Sequence, residues 1–173
     1  ILGDGLSIAI NDIDTLKTSL ISLGTMILLS VLTSFVYFWI FDINADTSEL
    51  FARTRPDIRE ILIAFFGGLA LIIATTKKGT IATVIYGVAI ATALIPPLCT
   101  AGYGIAVGSW DYFIGAMYLF IINTIFIALA TFIVTKFLKF PMINYVDSVR
   151  RRTISRFATL AAIIVMIPAV WTF

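Results

Sequence analysis

Residues 94–104 read LIPPLCTAGYG, and they lie inside one of the most apolar stretches of the chain. Two adjacent prolines and two glycines would suit a surface turn, so their place in an apolar run decides how the fold is read. Pro96 and Pro97 each remove a backbone donor and obstruct the carbonyl one turn earlier. Gly102, Gly104 and the nearby Gly108 admit unusual dihedrals and expose backbone. In hydrocarbon, irregular backbone survives only inside protein or beside a water-filled cavity. The stretch therefore reads as the break in a membrane helix, lining a site in the first reading and, in the alternative, a proline kink packed against neighbouring helices.

Composition points to the bilayer. Hydrophobic residues make up 60% of the chain, charged residues 13%, histidine is absent, and the mean hydropathy is +1.05. A soluble domain is about half apolar and about one quarter charged. A chain of 173 residues leaves room for five or six spans of roughly 20 residues each. The expected fold is all-α: one polytopic transmembrane domain over residues 1–173. Ile1 opens in the middle of an apolar run, so the first span is expected to be incomplete. No basic n-region or small-residue cleavage site marks a signal peptide. Cys99 is the single cysteine, which excludes an internal disulfide or thiolate cluster and makes it a packing residue. Neither a cofactor nor a metal is expected.

Six apolar segments follow along the chain, at about 1–10, 16–41, 58–75, 81–108, 112–137 and 154–172. The fourth is interrupted at Pro96-Pro97. Asn11, Asp12 and Asp14 favour a helix start before the second span, Pro56 suits the first turn of the third, and Ser109 or Asp111 suits the start of the fifth. If every segment crosses once, nine basic residues fall on one side: Lys17, Lys77, Lys78, Lys136, Lys139, Arg150, Arg151, Arg152 and Arg156. Three fall on the other: Arg53, Arg55 and Arg59. Basic residues stay preferentially cytoplasmic, so loops 11–15, 76–80 and 138–153 are expected inside, in a bacterial inner (plasma) membrane. Residues 42–57 and 109–111 then face outward. A re-entrant 81–108 would give the same count with the opposite orientation, so charge leaves that point open. Trp39, Trp110 and Trp171 fall at the outer interface in the crossing arrangement, where tryptophan is comfortable.

A shift of 99 residues lays GDGLSIAIND (3–12) over GYGIAVGSWD (102–111) and carries the second and third spans onto the fifth and sixth. Repeat 1 would be 1–75 and repeat 2 would be 81–173. Three spans per repeat is an odd number, so the copies would be inverted. Inverted repeats with discontinuous helices near the midplane are a recurring plan of secondary transporters.

Candidate path residues come from the two Gly-rich segments. They are Gly3, Asp4 and Gly5 in the first, and Thr92, Pro96, Pro97, Thr100, Gly102, Tyr103 and Gly104 in the fourth. Freed carbonyls suit cations and half-helix N-termini suit anions, while Thr92, Thr100 and Tyr103 add hydroxyls. A carboxylate such as Asp4 within a span costs about 2.5–3.5 kcal/mol and so faces a cavity or a partner. Asn123, deep in the fifth span, reads first as interhelical glue and second as a ligand contact. Gly104-x-x-x-Gly108, Gly87-x-x-x-Ala91 and the alanines of the last span suit close packing within or between subunits, so a homo-oligomer is among the expected states. Arg150–Arg152 suit anionic lipid, not nucleic acid.

With GLSIAINDIDTLKTSL, ELFARTRPDI, AFFGGLA and GVAIATALIPPLCTAGYGIAVGSWDYFIGAMYLFIINTIFIALATF in place, the chain resembles a bacterial integral-membrane family known as domain of unknown function 389. The resemblance covers most of 6–135. It implies further sequence ahead of these residues, often a soluble domain, and a first span rich in Pro and Gly. It also implies an apolar residue where this chain has Asp4, which would make any role of Asp4 particular to this protein. The leading expectation is a channel or secondary transporter for a small ion or solute. The alternative is an oligomeric membrane anchor or signalling module coupled to a soluble domain. An enzyme is not expected, for want of histidine, a metal constellation, or a Ser or Cys paired with a base.

Overall fold

The computed structural model describes residues 5–6, 13–41, 47–55, 57–76 and 80–138. Five helices follow in order: α1 (Ile13–Phe41), α2 (Ser48–Ala52), α3 (Ile58–Thr76), α4 (Thr80–Ala106) and α5 (Trp110–Phe137). Gly5 and Leu6 are helical ahead of them. Among the described residues there is no strand. The rest of the first expected span and all of the sixth lie outside the described residues. By length and composition, Asp14–Phe41 and Trp110–Phe137 are apolar enough to cross a bilayer, and Ile90–Ala106 is a shorter apolar stretch.

The long helices begin and end for local reasons. Asp14 stands in the first turn of α1 and Asp111 in that of α5, where carboxylates complement the helix dipole. They are first-turn acids and not caps. Ser109 holds the N-cap position of α5 without a side-chain capping bond. The start of α3 comes from Asp57, whose Oδ1 accepts from Arg59 N–H at 3.0 Å; Pro56 lies outside the described residues. The short α2 was not expected, and Thr47 caps it, its hydroxyl accepting from Leu50 N–H at 3.3 Å.

Helix α4 ends in a Schellman turn. Ser109 N–H donates to Gly104 O at 2.8 Å, Gly108 N–H donates to Ile105 O at 3.3 Å, and Gly108 has φ +71°. That left-handed residue after a helix end is the usual place for glycine. Gly108 therefore ends the helix and makes no close helix contact among the described residues. Gly87 has no neighbour within 4 Å, so it too makes no close helix contact among the described residues.

The expected interruption of 81–108 is not seen. Helix α4 runs without a break for 27 residues with Pro96 and Pro97 inside it, a length of about 40 Å at 1.5 Å per residue. Its neighbours show its direction. Ser34 meets Cys99 and Phe38 meets Tyr103, so α1 and α4 advance together. Ala93 meets Asn123 and Gly104 meets Phe113, so α5 runs against α4. Thr54 meets Gly115, Ile61 packs with Ile122, and Gly68 meets Ile127, so α3 runs with α5. The four long helices thus alternate in direction along the chain, and α4 traverses the bundle without doubling back. Residues 47–57 and 107–109 consequently share one end of the bundle.

The core lies where α3, α4 and α5 converge, around Ala64, Leu71, Leu94, Leu98, Phe120 and Ile127. Apolar burial drives little association where lipid is as apolar as leucine, so close contact at small residues matters more. Gly68 is such a point: a Cβ there would lie 3.1 Å from Ala130 Cβ. Several threonine hydroxyls are satisfied along their own helix, whereas the buried Thr124 Oγ1 and Tyr118 hydroxyl have no partner among the described residues. Thr18, Thr25, Thr100, Thr131 and Thr135 each donate to the carbonyl four residues earlier, which suits an apolar setting with no water partner.

Candidate functional site

Proline at position 97 leaves the carbonyl of Ala93 without its helical donor, since the residue four ahead has no N–H. Across the interface, Asn123 Nδ2 of α5 donates to that carbonyl at 3.1 Å. The amide thus supplies from another helix the bond that the proline cannot make. Asn123 is 1% exposed, and its Oδ1 has no partner among the described residues. Asn123 is therefore interhelical glue, as its sequence position suggests, and also a buried acceptor with spare capacity.

The other sequence-chosen residues fall around this point. Pro97 and Thr100 are buried, Pro96 is half-buried and Thr92 is exposed. Thr100 spends its hydroxyl proton on Pro96 O at 3.1 Å. Tyr103 is 1% exposed, wedged edge-on between the rings of Phe38 and Tyr112 at centroid distances of 5.0 and 5.4 Å. Gly104 sits under the start of α5, where a Cβ would lie 2.6 Å from Phe113 N. Gly102 and Gly104 are thus buried contact points between helices and do not expose backbone as expected. Gly3 and Asp4 lie outside the described residues.

Gly102 and Gly5 make matching contacts. A Cβ on Gly102 would lie 2.5 Å from Ser34 Cβ and 2.8 Å from Val31 O, both on α1. A Cβ on Gly5 would lie 2.8 Å from Thr131 Cβ and 2.5 Å from Ala128 O, both on α5. Each glycine faces one backbone oxygen and one small hydroxyl residue three positions on. A single shift of 97 residues carries Gly5, Val31 and Ser34 onto Gly102, Ala128 and Thr131. The same shift carries Ile13 to Trp110 and Asp14 to Asp111, the starts and first-turn acids of α1 and α5. The coincidences fall at 97 and not at the expected 99.

Two groups were missed in the sequence. Ser34 donates to Cys99 O at 2.6 Å, tying α1 to α4 just past the prolines. The carbonyl of Ala93 could have been found by counting four back from Pro97. Near the end where α3 begins, Arg53 pairs with Glu60. Among the described residues no group of three or more His, Cys, Asp or Glu is arranged to hold a metal ion.

A family model described as domain of unknown function (DUF389) matches residues 1–129. An uncharacterised protein of Methanocaldococcus jannaschii is 30% identical over 129 residues, which is 75% of this chain and 40% of that protein. The chain therefore spans less than half the length of this curated relative. No solved structure matches the chain.

Proposed function

The chain belongs to the family called domain of unknown function 389, and on the geometry of its matched residues we propose that it is a membrane channel or secondary transporter for a small ion or solute. The observation that carries this reading is the Pro97–Ala93–Asn123 arrangement. A helix interior normally consumes its own carbonyls, and a buried polar atom without a partner costs about 1–3 kcal/mol. Here a proline opens the ladder, and the amide that closes it keeps its own Oδ1 unpartnered in the middle of the bundle. Such an acceptor is what a permeating cation or hydrogen-bond donor needs in place of water.

The matched contacts of Gly5 and Gly102 support the architecture that goes with this function. α1 and α5 run in opposite directions, and each is met at an equivalent place by a Gly-rich segment from the other half of the chain. That relation is expected of two inverted three-span repeats whose Gly-rich segments cross-pack at the centre, in a six-span domain of the inner membrane. The path would follow the segments around Gly5 and Pro96–Gly104, next to Asn123.

Flux from liposomes reconstituted with the chain, across a panel of monovalent cations, anions and small neutral solutes, tests the function. Asn123→Ala and Asn123→Asp are the variants to compare. The proposal expects flux of one solute class that Asn123→Ala abolishes or reshapes. No flux for any solute above empty liposomes would contradict it. The second reading, an oligomeric anchor or signalling module, draws on the relative's extra length, and an inert but oligomeric protein in that assay would favour it.

A further inference from the structure

Between its ends the bundle carries oxygen and no charge. Among the described residues, α4 holds no charged side chain, α1 holds none after Lys17, α3 none after Glu60, and α5 none between Asp111 and Lys136. One side of α5 is polar all the same. Thr124, Thr131 and Thr135 stand seven and four residues apart, so they share a helix face, and Asn123 borders it. Asn123, Thr131 and Thr135 are buried and Thr124 is half-buried. From Asn123 to Thr135 this file spans about 18 Å at 1.5 Å per residue, more than half of a hydrocarbon core about 30 Å thick. Its protons are mostly committed. Thr131 and Thr135 donate to Ile127 O and Thr131 O at 2.9 and 2.7 Å, and Asn123 gives one amide proton to Ala93 O. Asn123 Oδ1 and Thr124 Oγ1 have no partner among the described residues. What the file keeps is mainly lone pairs, against the second amide proton of Asn123 and the hydroxyl proton of Thr124.

Such a file discriminates between solutes. An anion needs positive charge or the amino end of a half-helix, and α4 runs unbroken past Asn123. Lys136, beyond the end of the file, is exposed and set over the Phe132 ring. A divalent cation is held through carboxylates, and none stands here among the described residues. A neutral solute that both gives and takes hydrogen bonds meets few uncommitted protons. Neutral oxygens do suit a monovalent cation, whose water shell they replace in part. We propose that the transported solute is a monovalent cation, passed along the Asn123–Thr124–Thr131–Thr135 face of α5. This rests on the transport reading and narrows it.

Tracer uptake into liposomes holding the full chain tests it, with rubidium, chloride, calcium and urea as the probes. Rubidium uptake above empty liposomes is expected, without uptake of the other three. Thr124→Val and Thr131→Val keep close to the same shape and remove the oxygen, and each should cut rubidium uptake about tenfold while the fold stays intact. Asn123→Asp adds the carboxylate that a divalent cation needs, so calcium should enter through that variant, a change of selectivity that a merely structural role would not produce. Uptake of chloride, calcium or urea by the unaltered chain would overturn the assignment of the solute and leave transport standing. Rubidium uptake unchanged in both valine variants would overturn the path. No uptake of any probe would overturn this inference together with the transport reading.

Discussion

Helices α1 and α5 are close to equal in length and both apolar enough to cross a bilayer, yet 6% of the most apolar stretch of α1 is buried against 44% of that of α5. Composition cannot explain the gap, because the two carry the same kind of side chain. What differs is company. Among the described residues, α5 has α3 along one side and α4 along another, while α1 packs principally on α4 through Val31, Ser34 and Phe38. In lipid, exposure of an apolar helix is not penalised as it is in water, so an apolar sequence alone does not say which face is covered. Small residues and placed hydrogen bonds decide that.

The largest expected effect strikes the contact that α1 and α5 share. Gly102→Ala would press a methyl against Ser34 and the Val31 carbonyl, and Gly5→Ala would do the same to Thr131 and the Ala128 carbonyl. Each should cost about 1–3 kcal/mol, the range for overpacked sites, read as a fall in melting temperature in detergent. The two losses should be similar; a neutral Gly5→Ala beside a damaging Gly102→Ala would break the equivalence. Next comes Leu29→Ala, at a position bare among the described residues. Leu29 is 59% exposed where Phe126, at the matching place on α5, is half-buried, so the loss should be about 1 kcal/mol or less, well short of the cost at a buried leucine. A change near zero would mean that lipid meets it.

Smaller is the effect of Asn123→Ala, about 0.6 kcal/mol by the average for hydrogen bonds between membrane helices. It should shrink in a Pro97→Ala background, where the new N–H at position 97 can satisfy the Ala93 carbonyl. A double-mutant cycle measures that coupling, and an additive result would remove Asn123 from its assigned role. Smallest of all is Gly87→Ala, which meets nothing within 4 Å and should leave stability unchanged or slightly raised, since alanine favours helix over glycine.

Much of this was legible in the residues. Long apolar runs bounded by Asp, Ser and Gly place the four long helices within about three residues, the usual precision of helix ends. Two things were not legible. Pro96-Pro97 does not break α4, because a carbonyl freed by proline can be answered from outside the helix, and the partner stands thirty residues away at Asn123. The offset at which contacts match was the other: it is 97 residues, where the sequence suggests 99. Matching one Gly-x-Gly to the other aligns Gly3 with Gly102, whereas the packing aligns Gly5 with Gly102. In a chain so rich in Ile, Leu and Ala, identities carry little register information. Asp14 and Asp111, each in a first helical turn, stand at the same 97-residue offset as the matched glycine contacts.

The central claim is that α1 and α5 are the same element entering the membrane from opposite sides. Accessibility to an impermeant thiol reagent in intact cells and in inverted vesicles reads this directly, with Asp14→Cys and Asp111→Cys in the Cys99→Ser background. Both positions are exposed and related by the 97-residue shift. The account predicts labelling at 111 from outside the cell and at 14 only in inverted vesicles. Labelling of both from the same side would contradict it.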